Sequence, residues 1–154
     1  MTENLKKKLS TFLEIAKVLN KYGITPTLYG SLGLYRIVGQ LDEVNDIDVV
    51  IPNKNLIDGL DELMRILAEI GYKQEAPYPH EFTKGYGSVG FEPESDLEEL
   101  GINLKTLKVT EVDGIRFKEL SPKDYLLVYK RNKESQEKKI NSTKRKLEAL
   151  EKII

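Results

Sequence analysis

The chain has 154 residues, of which 40% are hydrophobic, 24 are Lys or Arg and 25 are Asp or Glu. This length and composition predict one domain with a substantial core, and the net charge of −1 argues against nucleic-acid binding through bulk charge alone. The absence of cysteine excludes disulfide scaffolds, thiol catalysis and cysteine-built zinc sites, and the single histidine, His80, excludes a metal site made from several histidines of one chain.

Hydrophobic periodicity, turn residues and helix caps predict the secondary structure. Gly23, Gly39 and Gly71 are expected to end helices, and Ser121-Pro122 is expected to begin one. In chain order, the predicted elements are a helix over 3–22, a strand over 24–29, a helix over 32–38, a strand over 46–51, a helix over 56–70, a hairpin of 81–83 with 88–92, strands over 104–112 and 115–117, and helices over 121–132 and 140–154.

This order predicts an α+β fold in which a mixed β-sheet has flanking helices and a C-terminal helical segment over about 121–154. No repeat or linker divides the chain, so residues 1–154 are expected to form a single domain. No segment approaches the roughly 20 apolar residues of a membrane span, and no apolar signal-peptide segment follows Met1. We therefore expect a cytoplasmic protein with no membrane partner, whose oligomeric state the sequence leaves open.

Two short segments carry the functional signal. Asp46 and Asp48 alternate with Ile47, Val49 and Ile51, so both carboxylates are expected on one face of a strand while the apolar residues pack on the other face. Two neighbouring carboxylates repel each other, and a divalent cation such as Mg²⁺ would offset that repulsion.

The second segment, Gly30-Ser31, lies where a predicted strand turns into a helix. Glycine permits a close backbone approach, and the first amides of a helix favour an anion. A phosphate-binding turn next to a metal-binding acidic pair is what nucleoside triphosphate chemistry needs. Arg36, on the short helix, could reach the phosphates or form a surface salt bridge instead.

The arrangement from Leu28-Tyr29-Gly30-Ser31 to Asp46-Ile47-Asp48-Val49-Val50-Ile51 resembles the minimal nucleotidyltransferases of the DNA polymerase β superfamily. The resemblance implies that Gly30 and Ser31 hold the triphosphate and that Asp46 and Asp48 bind Mg²⁺ together with a third carboxylate. It also implies transfer of a nucleoside monophosphate from a nucleoside triphosphate to a hydroxyl group. The acceptor is left open among a small molecule, a protein and an RNA end.

The third carboxylate must lie on a strand beside the acidic pair, with its side chain on the same face. Five acids are candidates: Glu81, Glu92, Glu94, Asp96 and Glu111. If the chain turns over 84–87, Glu92 shares a face with Gly90, which would leave open space beside it, and Glu81 faces Gly90 from the other strand. We therefore expect Glu92 to be the third catalytic and metal-binding acid, with Glu81 as the alternative.

Two further features of the sequence are less specific indications of function. His80 is expected to pack or cap the hairpin rather than to act in catalysis. A run with eight basic residues between Lys130 and Lys146 is typical of a solvated helix face, although it could touch the nucleotide or a nucleic-acid acceptor. Two alternatives to an active transferase also stay open, namely a catalytically inactive nucleotide-binding module and a toxin–antitoxin component of the same fold.

Overall fold

A computed structural model describes residues 2–39, 44, 46–85, 87–135 and 140–154. The helices are α1 (Glu3–Lys21), α2 (Gly30–Val38), α3 (Asn53–Leu56), α4 (Leu60–Ala68), α5 (Glu94–Glu99), α6 (Pro122–Ser135) and α7 (Ile140–Ile153), and a short 3-10 turn covers Leu104–Thr106. The strands are β1 (Thr27–Tyr29), β2 (Ile47–Ile51), β3 (Lys73–Glu75), β4 (Tyr78–Lys84), β5 (Gly87–Pro93), β6 (Lys108–Val112) and β7 (Ile115–Glu119).

The strands form one mixed sheet in the order β3-β4-β5-β2-β1-β7-β6. The central strand β2 runs antiparallel to β1 and parallel to β5, and β1 runs parallel to β7. This sheet with flanking helices confirms the predicted fold class. None of the helices in the described ranges is long and apolar enough to cross a membrane.

Two hydrophobic cores cover the two faces of the sheet, because successive residues of a strand point to opposite faces. Val49 belongs to the core built with α1 and α4, which includes Phe12 and Leu63. Its neighbour Val50 belongs to the core that includes Tyr125 of α6 and Leu150 of α7. Asp48 therefore shares the face of Val50, next to the C-terminal helices.

Three predicted elements differ from those observed. The predicted helix over 56–70 is two helices, because Gly59 lies where the chain turns; a side chain there would come within 2.7 Å of the Lys54 carbonyl oxygen. The first part of the predicted strand over 104–112 is the 3-10 turn. The edge strand β3 was not predicted, because its three residues are polar and only pairing with β4 orders them.

Candidate active site

Asp48 lies at the centre of the sheet between two glycines. It pairs with Tyr29 of β1 on one side and with Gly90 of β5 on the other. A methyl group on Gly30 would overlap Asp48 Oδ2, and its carbon would lie 3.0 Å from Cγ. A methyl group on Gly90 would lie 3.6 Å from Asp48 Oδ1. The missing side chain of Gly30 thus makes the space that the Asp48 carboxylate occupies, whereas a methyl group on Gly90 would be in ordinary van der Waals contact with it.

The helix α2 begins directly against this carboxylate. Gly30 has φ of 67°, a backbone conformation that L side chains rarely adopt, and it turns the chain from β1 into α2. Tyr29 occupies the N-cap position and provides no side-chain hydrogen bond to the first amides. Ser31 follows with only 6% of its surface exposed. These features place the first amides of α2 beside the Asp48 carboxylate, and the binding of a phosphate by Gly30 and Ser31 stays a prediction.

Glu92 lies on the same face of the sheet as Asp48. It pairs with Val50 and lies two residues after Gly90 along β5, so both residues are on the same face of that strand. Its half-buried position raises the pKa of Glu92 from its ordinary 4.5 to about 7, and the charges of Asp48 and Asp96 contribute in the same direction. The structure therefore brings Glu92 and Asp48 into electrostatic contact, and the role of Glu92 as third catalytic acid stays a prediction.

The other candidates for the third acid are placed differently. Glu81 pairs with Gly90 and is exposed. Glu94 and Asp96 lie in α5, as expected for acids at a helix start. Glu111 lies on β6, the edge strand at the far end of the sheet.

Asp46 immediately precedes β2 and is exposed. It lines a cavity of about 350 Å³ between the N-terminal half of α1 and the first residues of β2 and β5. Within the described ranges, no three acidic or histidine side chains already form a metal-holding group. A Mg²⁺ ion, however, commonly takes only one or two protein carboxylates together with phosphate oxygens of its substrate. Asp46 and Asp48 fit that donor set.

Arg36 forms an ion pair with Glu119 of β7. Its Nε donates to Glu119 Oε2 at 2.8 Å, and Thr110 Oγ1 donates to Oε1 at 2.6 Å. Burial alone would raise the pKa of Glu119, but the hydrogen bonds from Arg36 and Thr110 hold it below its usual value. Arg36 thus fastens the last turn of α2 to the sheet, and contact with a nucleotide phosphate stays a prediction.

A row of three tyrosines lies beside Asp48, and the sequence analysis did not single it out. Tyr29 stacks on Tyr125 with ring centroids 6.5 Å apart, and Tyr125 stacks on Tyr129 at 6.1 Å. Burial raises the pKa of all three phenols, with a further contribution from the charge of Asp48. The rings therefore stay neutral. The spacing of Tyr125 and Tyr129 on one face of α6 was the available signal.

Tyr125 also reaches α2. Its hydroxyl is buried and has no hydrogen-bond partner among the residues that the structure describes. A methyl group on Gly33 of α2 would overlap this hydroxyl and would lie 3.2 Å from the Leu28 carbonyl oxygen. Gly33 therefore lets α2 pack closely against both β1 and α6, which fixes the position of the helix start at Gly30.

His80 lies outside this group of residues, whereas one member of the basic C-terminal run, Lys146, contacts the tyrosine row. His80 is on β4, close enough to Asp96 for its charge to lower the pKa of that acid against the larger effects of burial and Glu99. In the basic run, Lys138 and Lys139 fall outside the described residues. The Lys146 ammonium lies 5.1 Å from the centre of the Tyr129 ring. A nucleic-acid contact by this run stays a prediction.

The chain is similar to known proteins in sequence and in structure. It is 34% identical over 128 residues to the uncharacterized protein YnaI of Bacillus subtilis (strain 168), a match that covers 82% of each chain. No protein-family model matches the chain.

Two solved structures share the fold. An antigenic nucleotidyltransferase-like protein from Paracoccidioides brasiliensis superimposes with a TM-score of 0.70 at 15% identity, over 96% of this chain and 77% of the other. ANT(2'')-Ia in complex with adenylyl-2''-tobramycin superimposes with a TM-score of 0.60 at 14% identity, over 96% of this chain and 90% of the other. At these identities the likeness establishes the fold alone. The chain therefore belongs to the family of the Bacillus subtilis protein YnaI and has the nucleotidyltransferase fold.

Proposed function

We propose that the protein is a Mg²⁺-dependent nucleotidyltransferase, which transfers a nucleoside monophosphate from a nucleoside triphosphate to a hydroxyl-bearing acceptor. The observation that supports it best is the close approach of Gly30 to Asp48, which leaves no room for a side chain on Gly30. A metal-binding acid and an anion-binding helix start lie side by side. A complex of Mg²⁺ with a triphosphate needs both.

The start of α2 binds the triphosphate in this proposal. The first amides of α2 donate to phosphate oxygens, and the helix dipole favours their negative charge. Ser31 adds a hydroxyl group at the same helix start. Arg36 acts from the other end of α2, where its ion pair with Glu119 holds the helix in place.

Asp46, Asp48 and Glu92 are the acids that would hold Mg²⁺. Asp48 and Glu92 share a face of the sheet, and Asp46 lies two residues before Asp48. Bound Mg²⁺ would lower the pKa of the acceptor hydroxyl and stabilise negative charge on the attacking and leaving oxygens.

The transfer step is an in-line displacement. The acceptor hydroxyl oxygen forms a bond to the α-phosphorus, while the bond from that phosphorus to the oxygen bridging to the β-phosphate breaks, and pyrophosphate leaves. The hydroxyl proton goes to a carboxylate of the site. Glu92 is a candidate for this role because it shares a face of the sheet with Asp48.

A nucleotide-binding protein without transferase activity is the second candidate. In the part of the chain that the structure describes, no three acids already stand together as a metal-holding group. Catalysis would then depend on the nucleotide itself to draw the acids together. If the bound nucleotide does not draw the acids together, the protein binds a nucleotide without transferring it.

Calorimetry and a transfer assay test both candidates. Binding of ATP, GTP, CTP and UTP is measured with and without Mg²⁺ for the native protein, for Asp48→Asn and for the control Asp58→Asn, which changes an exposed acid between α3 and α4. We expect Asp48→Asn to lose Mg²⁺-dependent binding at least about tenfold, since hydrogen bonds and contacts to charged groups are worth about 1.5–3 kcal/mol each. Asp58→Asn should bind normally.

The preferred nucleotide, labelled at the α-phosphate, is then incubated with the protein and a cell extract. Transfer of the label with release of pyrophosphate supports the transferase. Mg²⁺-dependent binding without transfer supports the second candidate. Binding that is unchanged in Asp48→Asn, and also in Asp46→Asn, would reject the assigned site.

A further inference from the structure

An ion pair with two hydrogen bonds holds the last turn of α2 on the sheet. Arg36 Nε donates to Glu119 Oε2 at 2.8 Å, and Arg36 Nη2 donates to Glu119 Oε1 at 3.3 Å. The side chain of Glu119 is only 11% exposed, and that of Arg36 is 26% exposed. Because two parallel hydrogen bonds fix the orientation of a guanidinium group as well as its distance, the pair holds α2 at one position.

Glu119 is itself held in place by its surroundings. Among the residues that the structure describes, it is the one acid that is buried. Thr110 Oγ1 of β6 donates to Glu119 Oε1 at 2.6 Å, and on the other side of β7 Glu119 is aligned with Leu28 of β1. The guanidinium group of Arg36 also lies 5.5 Å from the centre of the Phe117 ring, where the two attract each other. The partner that holds α2 is therefore a fixed part of the sheet.

A buried ion pair is a costly way to stabilise a helix. Taking two charges out of water costs free energy that their attraction only partly returns, and apolar residues of similar size often stabilise a protein equally well. Burial acts to raise the pKa of Glu119, but the hydrogen bonds from Arg36 and Thr110 hold it below its usual value, so the pair is charged at neutral pH. What such a pair adds to apolar packing is a fixed geometry.

The position of the helix start depends on where α2 is held. Arg36 lies six residues after Gly30, which is about 9 Å along the axis of a helix that rises about 1.5 Å per residue. A methyl group on Gly30 would overlap Asp48, and a methyl group on Gly33 would overlap the Tyr125 hydroxyl. These contacts stop α2 from moving closer to the sheet and to α6, but they do not stop it from moving away. The ion pair does, because its hydrogen bonds are directional and apolar packing is not.

We infer that Glu119 is a positioning residue for nucleotide binding: through Arg36, it holds the first amides of α2 beside Asp48, where the triphosphate binds. The inference rests on the proposed function. Glu119 does not contact the nucleotide in this arrangement, because β1 lies between its own strand, β7, and the strand of Asp48. The charge of Arg36 then holds the helix instead of neutralising a phosphate.

A different role of Arg36 predicts an effect of the opposite sign. If Arg36 left Glu119 to bind a phosphate, Glu119 would compete with the nucleotide for the guanidinium group. Replacing Glu119 by Gln would then strengthen nucleotide binding, because a competing negative charge is removed. If Glu119 positions α2, the same substitution weakens binding, since the helix start is no longer held beside Asp48. If the pair only stabilises the fold, the affinity of the folded protein does not change.

Calorimetry measures this sign. The ligands are Mg²⁺ and the α,β-methylene analogues of ATP, GTP, CTP and UTP, in which the bond that breaks during transfer is replaced. They are titrated into the native protein, Glu119→Gln, Arg36→Gln, the variant with both substitutions, and Ile66→Ala. The double variant leaves no unpaired charge on the sheet, so the test remains decisive if a single variant fails to fold. Ile66→Ala loses stability through a cavity in the core at α4, while both partners of the ion pair stay in place.

The expected results are stated for a temperature at which thermal melts show every variant to be folded. Glu119→Gln and Arg36→Gln should each weaken binding of the preferred analogue at least about fivefold. The double variant should bind no more weakly than the weaker single variant, because both substitutions remove the same ion pair. Ile66→Ala should change the affinity less than about twofold. In NMR spectra of the ligand-free protein, the Gly30 and Ser31 amide signals should shift in Glu119→Gln but not in Ile66→Ala.

The outcomes separate this inference from the proposed function. Tighter or unchanged binding in Glu119→Gln and in the double variant, equal weakening in Ile66→Ala, or unshifted Gly30 and Ser31 signals would each overturn the role of Glu119. The proposed function would stand in all of these cases, because the native protein still binds the analogue with Mg²⁺. A native protein that binds none of the four analogues with Mg²⁺ would reject the proposed function, and this inference with it.

Discussion

Replacing Glu92 by Gln should stabilise the metal-free protein at alkaline pH. The pKa of Glu92 is about 7 in the folded protein and near its ordinary 4.5 in the unfolded chain. Between these values the folded state binds more protons than the unfolded state, so the free energy of unfolding falls as the pH rises through this window. Gln has nearly the same shape and carries no charge, so the free energy of unfolding of Glu92→Gln does not fall in this way.

The magnitude follows from the two pKa values. Their difference corresponds to about 3 kcal/mol at 1.36 kcal/mol for each pH unit, and this is an upper bound. Solvent reaches part of this half-buried side chain and screens the effect, so we expect about 1–2 kcal/mol at pH 8. For a chain of this length, that raises the melting temperature by about 2–8 °C. At pH 4.5 and below, both proteins carry a neutral side chain and should be equally stable.

The assay is urea unfolding from pH 4.5 to 8.5 in the presence of EDTA, with Glu81→Gln as the matched control. Glu81 is an exposed acid on the neighbouring strand, so its replacement should leave the pH dependence unchanged. A constant difference between Glu92→Gln and the native protein across this range, or the same rise in Glu81→Gln, would refute the reasoning. With Mg²⁺ and triphosphate present, the native protein should gain more stability than Glu92→Gln, because the ligand complex needs the charge.

Three further substitutions test the packing around the helix start. Gly30→Ala should weaken triphosphate binding at least about tenfold, because the methyl group overlaps Asp48; Gly39→Ala, which has a similar positive φ but open space, should bind normally in the same calorimetric titration. Gly33→Ala should destabilise the protein by about 1–3 kcal/mol through overpacking, and adding Tyr125→Phe should recover part of this in thermal melts. Tyr125→Phe alone should be neutral or stabilising, since it removes a buried hydroxyl that has no partner among the described residues, and a loss above about 1 kcal/mol would contradict this.

The local pattern of the chain was sufficient to place the acidic strand and the helix start. Alternation of Ile47, Val49 and Ile51 with the acids puts Asp48 on the opposite face of β2 to the core below it, because a strand has a period of two. The turn from β1 to α2 at Gly30 can also be predicted from the local sequence, because few residues other than glycine adopt a positive φ. Such features depend on neighbours in sequence, so they can be read from it.

Contacts between distant parts of the chain required the tertiary structure. Sequence reasoning placed Glu92 on the correct strand, but only the parallel register of β5 with β2 sets it across from Val50 and within reach of the Asp48 charge. Arg36 was equally compatible with a phosphate and with a salt bridge, and its pairing with Glu119 is a contact between α2 and β7.

The tyrosine row and the cavity show the same limit. Tyr29 and Tyr125 lie on β1 and α6, far apart in sequence, and no local pattern indicates that they stack. The sequence predicts that the polar face of α1, which carries Lys7, is exposed to solvent. Only the packing of β2 and β5 beside that face forms the cavity. Local sequence determined which residues form turns, which alternate between the two faces of a strand and which end a helix. The packing of α1, α2 and α6 on the sheet decided which of them meet, because side-chain contacts across the sheet depend on strand register and helix position.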